Sequence, residues 1–220
     1  MIDKNKKIIV LMPPKTASNS IRTLLEQFGY VFYQDSKIKY PQIHLKLSEI
    51  IKLYDVNNLN EYNIIQVVRN PYHRFISSFF FQKKIIPSGY TIKFKNFNLN
   101  EFTNHLLESK LSSDFVSNFY GDTSFVNDCI QSGRSWGGTR FYDKQVDWDD
   151  VGVDVKYFKL EELSKSTIEL QSHLNLPNEK LPKVNSQELV FDYLELITPE
   201  VKDIVIKLFD EDFNKFGYKK

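Results

Sequence analysis

Ile8-Ile9-Val10-Leu11-Met12 is an unbroken apolar run, and Pro13-Pro14 stops it. Lys15 and the small polar string Thr16-Ala17-Ser18-Asn19-Ser20 follow, and Ile21, Leu24, Leu25 and Phe28 then recur at helical spacing. The order predicts a buried strand, a tight turn and a helix N-terminus. Such a turn is an anion site by construction. The first N–H groups of a helix have no partner within it, and the macrodipole adds about half a positive charge there. Lys15 contributes a full charge, and Thr16, Ser18 and Ser20 contribute hydroxyl donors. The physics calls for phosphate or sulfate without saying which ligand carries it.

The nucleotide-binding loop G-x-x-x-x-G-K-[ST] does not describe this turn. No glycine lies between Met1 and Phe28, and the lysine precedes the hydroxyl cluster. A second short apolar run, Asn63-Ile64-Ile65-Gln66-Val67-Val68, leads directly into Arg69-Asn70-Pro71-Tyr72-His73-Arg74-Phe75-Ile76-Ser77-Ser78-Phe79. Pro71 suits the first turn of a helix, where its missing N–H is no loss. Arg69 at the strand's end and Ser77 two turns on form a second candidate anion site, the arginine through a charge-assisted fork. Strand–helix–strand–helix order with short apolar strands predicts an α/β chain: a P-loop-like three-layer fold with a central parallel sheet flanked by helices. In such sheets ligands lie beyond the carboxyl ends of the strands, where both motifs fall.

Pro14-Lys15-Thr16-Ala17-Ser18-Asn19-Ser20 resembles the 5′-phosphosulfate loop, P-K-[TS]-[GA]-[ST]-[ST]-[ST], of sulfotransferases that use 3′-phosphoadenosine 5′-phosphosulfate (PAPS). Asn19 is a departure that keeps a donor. The R-N-P-x-x-R-x-x-S-x-F string from Arg69 resembles the 3′-phosphate motif of the same family. Phe209-Asp210-Glu211-Asp212-Phe213-Asn214-Lys215-Phe216-Gly217-Tyr218 is similar to the C-terminal signature of its carbohydrate-type, heparan sulfate 2-O-sulfotransferase-like branch. Val155–Lys159 and the following Glu-x-Leu segment resemble a late strand of the family. Locally, Tyr30–Tyr33 reads as a short strand, Ser48 as the cap of a short helix ending near Tyr54, Asn100 as the cap of a helix through Leu111, the stretch from about Glu162 to Leu174 as a helix, and Thr198 as the cap of a last helix with Pro199 at its first position. The match is poor only over about 83–150, which is expected to be an irregular, acceptor-side region of one domain covering 1–220.

The resemblance implies sulfuryl transfer from PAPS to an acceptor hydroxyl, with adenosine 3′,5′-bisphosphate as the other product and no metal demanded. Lys15 would neutralise the leaving phosphate. The backbone of Thr16, Ala17, Ser18, Asn19 and Ser20 would cradle the 5′-phosphate, and Arg69 with Ser77 would hold the 3′-phosphate. Of four histidines, His44 matches the family's H-x-x-x-[SL]-[ED] placement of the general base, with Glu49 or Asp35 as carboxylate alternatives. Arg74, Arg134, Trp136 and Arg140 are candidates for acceptor or donor contacts, and Trp136 and Tyr142 for stacking; the competing role is a surface carboxylate pair for Arg74 and ordinary packing for Trp136 and Tyr142. Two other classes stay open: a small-molecule kinase of P-loop-like geometry, and a non-catalytic module binding a nucleotide or glycan.

Charge narrows the partners. With 29 basic and 28 acidic residues the formal net charge is +1, which argues against a general nucleic-acid binder and requires any anion site to be built locally. A single cysteine, Cys129, rules out an internal disulfide framework and any multi-cysteine zinc site. No apolar run approaches a membrane span, and Met1–Lys7 lacks a signal-peptide core. The expectation is a soluble cytoplasmic enzyme of microbial or viral origin acting on a small-molecule or glycan acceptor, with no membrane or nucleic-acid partner and its oligomeric state open.

Overall fold

A computed structural model of the chain describes residues 1–32, 44–85, 93–112, 114–121, 138–165, 167–177, 179–180, 182 and 193–220. The chain forms two compact units, one from Met1–Asn70 with Gln145–Glu188 and one from Pro71–Lys144 with Leu189–Lys220.

The first unit holds a four-stranded sheet in the order β1 (Ile2–Asp3), β2 (Ile8–Leu11), β3 (Asn63–Val68), β4 (Lys156–Lys159). β2, β3 and β4 are parallel, with Leu11 opposite Gln66 and Val68 opposite Lys159; the two-residue β1 runs antiparallel to β2. Side-chain alternation sorts the strands onto two faces. Ile8, Val10, Ile65, Val67 and Phe158 join Ile21, Leu24 and Leu25 of α1 (Ser18–Gln27) in one core. Ile9, Leu11 and Ile64 join Leu47, Ile50 and Tyr54 of α2 (Leu47–Tyr54), and Trp148, in the other. The sheet is therefore covered on both sides, as parallel strands require. This is an α/β fold with a mostly parallel sheet flanked by helices.

Three local expectations are revised in this unit. Of the strand expected over Tyr30–Tyr33, the described residues Tyr30–Phe32 form none, because the Val31 N–H donates to Asp3 Oδ2 at 2.7 Å rather than to a ladder; Tyr33 lies outside the described residues. That buried carboxylate also receives the N–H groups of Asn5 and Lys6, closing the β1–β2 turn. Ser48 does not cap α2; it lies inside the first turn, and its N–H and hydroxyl donate to Asp150 at 2.9 and 2.5 Å. The helix expected from Glu162 to Leu174 is two short ones, α6 (Leu160–Leu163) and α7 (Ile168–His173).

The second unit packs α3 (Pro71–Ile85), α4 (Leu99–Lys110), α5 (Phe115–Tyr120) and α8 (Pro199–Phe216) around one aromatic core. Tyr72, Phe75, Ile76 and Phe79 form an i, i+3, i+4, i+7 stripe on α3. Phe79 meets Phe102 at 4.8 Å between ring centroids, and Phe94 meets Phe119 at 4.7 Å. The high phenylalanine content therefore has a structural use, in tilted and edge-on pairs that add to area burial. Asn98, two residues before the expected Asn100, caps α4 in a reciprocal box with Glu101. Thr198 caps α8 with Pro199 at its first position, as expected, and Gly217 ends it at φ 64. No helix among the described residues is long and apolar enough to cross a membrane.

Candidate functional site

Beyond the end of β2 the backbone enters an unusual conformation. Lys15 and Ala17 both have positive φ, 69 and 61, although neither is glycine. The left-handed region costs an L-residue roughly 1–2 kcal/mol, so the surrounding structure must hold both in place. One brace is visible: the buried Thr16 hydroxyl donates to the Pro13 carbonyl at 2.7 Å. The Thr16 hydroxyl proton is thus spent within the turn, which corrects its expected use as a ligand donor and leaves that residue its backbone N–H. The first helical bond of α1 runs from the Ile21 N–H to the Ala17 carbonyl. The Ala17 cap offers no side-chain acceptor, and the first turn holds no acid. Ser18, Asn19 and Ser20 therefore open a helix whose N-terminal dipole no carboxylate of its own neutralises.

Two further side chains meet this turn. Arg69, the first residue beyond β3, donates from Nη1 to the Lys15 carbonyl at 3.1 Å. β2 and β3 are adjacent and parallel, so both strands deliver their trailing cations to the same sheet edge. Burial, and secondarily the Arg69 charge, bring the Lys15 ammonium down to a pKa of about 8. His44 Nδ1 lies 2.7 Å from the Met12 carbonyl, immediately before the two prolines. A carbonyl only accepts, so Nδ1 is the donor in this contact. Glu49, the carboxylate alternative, accepts the Lys46 N–H at 2.7 Å at the start of α2. Strand ends, lysine, arginine and histidine thus converge on one turn. The whole sequence was compared with known families, and it matches the model described as "Sulfotransferase family" over residues 1–219.

The chain belongs to the sulfotransferase family. It is an enzyme of sulfuryl transfer, using a sulfonate donor such as PAPS and a small-molecule acceptor. A search of curated proteins finds no match. The sulfotransferase's remaining expected site residues belong to the second unit or fall outside the described residues. Ser77 is a buried residue of α3 in the second unit. Arg74, 2% exposed, donates to the carbonyls of Asp143 (2.8 Å) and Arg140 (3.4 Å) within that unit. Its guanidinium is turned inward, which revises the expected donor or acceptor contact. Tyr142 is likewise a core residue, its hydroxyl donating to Gln82 Oε1 at 3.2 Å, rather than a stacking platform. Arg140 is partly buried in the 3-10 helix Gly138–Tyr142, while Arg134, Trp136 and Asp35 lie outside the described residues. His105 Nε2 is bonded at 2.8 Å to the Phe119 carbonyl, and Nε2 of the exposed His173 lies 2.9 Å from Asn63 Oδ1.

Sequence reasoning passed over Gln145, which holds the Arg69 backbone, and Gln66 and Glu161, which hold Gln145 and Asn70. Gln145 Oε1 accepts the Arg69 N–H at 2.8 Å, and Gln145 Nε2 donates to the Arg69 carbonyl at 2.8 Å. Gln66 Nε2 donates to the Gln145 carbonyl at 2.8 Å, and Glu161 Oε1 accepts the Asn70 N–H at 2.9 Å. A polar residue inside the apolar β3 run was the one available signal, and Gln66 supplies it; Gln145 sits in a stretch with no periodicity at all.

Proposed function

We propose that this sulfotransferase binds PAPS across the Lys15–Ser20 turn and Arg69, and transfers the sulfuryl group to a carbohydrate hydroxyl with His44 as general base. The observation that carries the reading is the convergence on one turn: Arg69 on the Lys15 carbonyl and His44 on the Met12 carbonyl. The backbone N–H groups from Thr16 to Ser20 receive the 5′-phosphate at the helix N-terminus. Arg69 forks onto the 3′-phosphate, and Ser77 is assigned to the same group by its motif alone. Lys15 places its ammonium on the oxygen that leaves with the phosphate, where negative charge develops in transfer. His44 Nε2 takes the acceptor's hydroxyl proton as the new S–O bond forms and the bond from sulfur to the phosphate oxygen breaks. Fixed amide and cationic donors meet the charge throughout, so the reading needs no metal.

The carbohydrate acceptor is supported by the His44-x-x-x-Ser48-Glu49 pattern and the closing stretch Phe209–Tyr218. Calorimetric titration with adenosine 3′,5′-bisphosphate, AMP and ATP tests the donor assignment. Preference for the bisphosphate is expected, and preference for ATP would move the reading to phosphoryl transfer. Acceptor classes are then compared with labelled donor, and transfer confined to amines or phenols would overturn the carbohydrate assignment.

A further inference from the structure

Arg69 sits where the sheet gives out. The ladder between β3 and β4 ends at Val68 and Lys159, because the chain turns into α6 at Leu160. In an extended residue the N–H and C=O point to the same side, and within a sheet a neighbouring strand answers both. At Arg69 a side chain answers them: the carboxamide of Gln145 takes the N–H and returns a hydrogen to the carbonyl. We propose that Gln145 is a positioning residue of the donor site, its carboxamide replacing the missing strand so that the Arg69 guanidinium is held to meet the donor's 3′-phosphate.

The chemistry of the residue fits that task. A carboxamide carries an acceptor and a donor in one plane, as a peptide group does. Glutamate in its place offers acceptors only, and asparagine is one methylene shorter. Gln145 and Gln66 are both 0% exposed, and Gln66 fixes the Gln145 backbone in turn. The next peptide N–H, that of Asn70, goes to Glu161 from a different segment. A strand end needs none of this, because its last polar groups can bond to water. Two side chains from separate segments instead hold successive peptides, and the arginine between them already has its guanidinium on the Lys15 carbonyl. A site that must present a charge accurately depends on a supporting layer of this kind.

The proposal rests on Arg69 as the 3′-phosphate ligand, and the experiment separates the two. Gln145→Met keeps length and volume while removing both hydrogen bonds. It is titrated beside Arg69→Ala and the double variant, using adenosine 3′,5′-bisphosphate and AMP, which lacks the 3′-phosphate. Gln145→Met should weaken the bisphosphate about five- to thirtyfold, the scale of one or two lost buried hydrogen bonds. AMP should lose less than about twofold, and in the Arg69→Ala background the Gln145 change should add nothing. Equal loss for both ligands, or an undiminished effect in that background, would give Gln145 a general structural role and overturn the proposal. Arg69→Ala binding both ligands as the parent does would overturn the donor-site reading itself. Should Gln145→Met fail to fold, Gln145→Glu takes its place, because it keeps the acceptor for the Arg69 N–H. The same selective loss is expected of it, and unchanged discrimination between the two ligands would overturn the proposal.

Discussion

Raising the pH discharges Lys15 before any ordinary lysine, and donor affinity should follow. Burial and the Arg69 charge bring its pKa to about 8 in the unliganded protein. A bound phosphate lying against the ammonium raises that value, because an opposite charge favours the charged form. Binding above pH 8 must therefore recharge the lysine. The apparent Kd for adenosine 3′,5′-bisphosphate should grow about tenfold per pH unit beyond that point, or ~1.4 kcal/mol, until the bound-state pKa is reached. The ligand does not imitate this, since a phosphate's second ionisation is complete well below pH 8. At about pH 8.5, calorimetry in buffers of different ionisation enthalpy should register uptake of roughly three-quarters of a proton. Lys15→Arg keeps a charge that does not titrate in this range, so its profile should be flat. The sign for stability is opposite. The folded pKa lies below the unfolded one, so the unfolded chain holds more protons between about pH 8 and pH 10.5, and unliganded stability rises there relative to Lys15→Met. A parent Kd that changes less than about twofold between about pH 7 and pH 9.5, or a slope that survives in Lys15→Arg, would refute the reasoning.

Other outcomes follow from single contacts. Ala17→Gly should stabilise the protein by about 0.5–1 kcal/mol, since relief of left-handed strain exceeds the added chain entropy; a lowered melting temperature would mean that Ala17 is not strained. His44→Ala should lower turnover roughly 10²- to 10⁴-fold; turnover within about twofold of the parent would show that another group is the base. Asp150→Ala should cost about 1 kcal/mol in denaturant unfolding by stripping the first turn of α2 of its acceptor, and an unchanged midpoint would show the Ser48 contacts to be energetically idle.

What the sequence settles by itself is whatever depends on neighbours along the chain. The apolar run into Pro13, the helical spacing after Ser20, Pro71 at a helix start and Thr198 before Pro199 are local patterns, and each produced the expected element. Because parallel strands place their trailing loops on one edge, the Lys15 and Arg69 motifs were also expected side by side, and the Arg69 guanidinium does reach the Lys15 carbonyl. Competition among polar groups brought together by folding was not legible. Ser48 has a capper's chemistry, yet its partner is Asp150, 102 positions away. Tyr30–Phe32 has strand composition, yet the Asp3 carboxylate takes the Val31 N–H. Arg74 repeats the spacing of a ligand residue, yet buried carbonyls claim it, because a guanidinium enclosed in an aromatic core must find acceptors there. Gln145 shows the limit most clearly: a lone glutamine without pattern became the partner of a strand end, since only tertiary structure decides which backbone groups the sheet leaves unanswered.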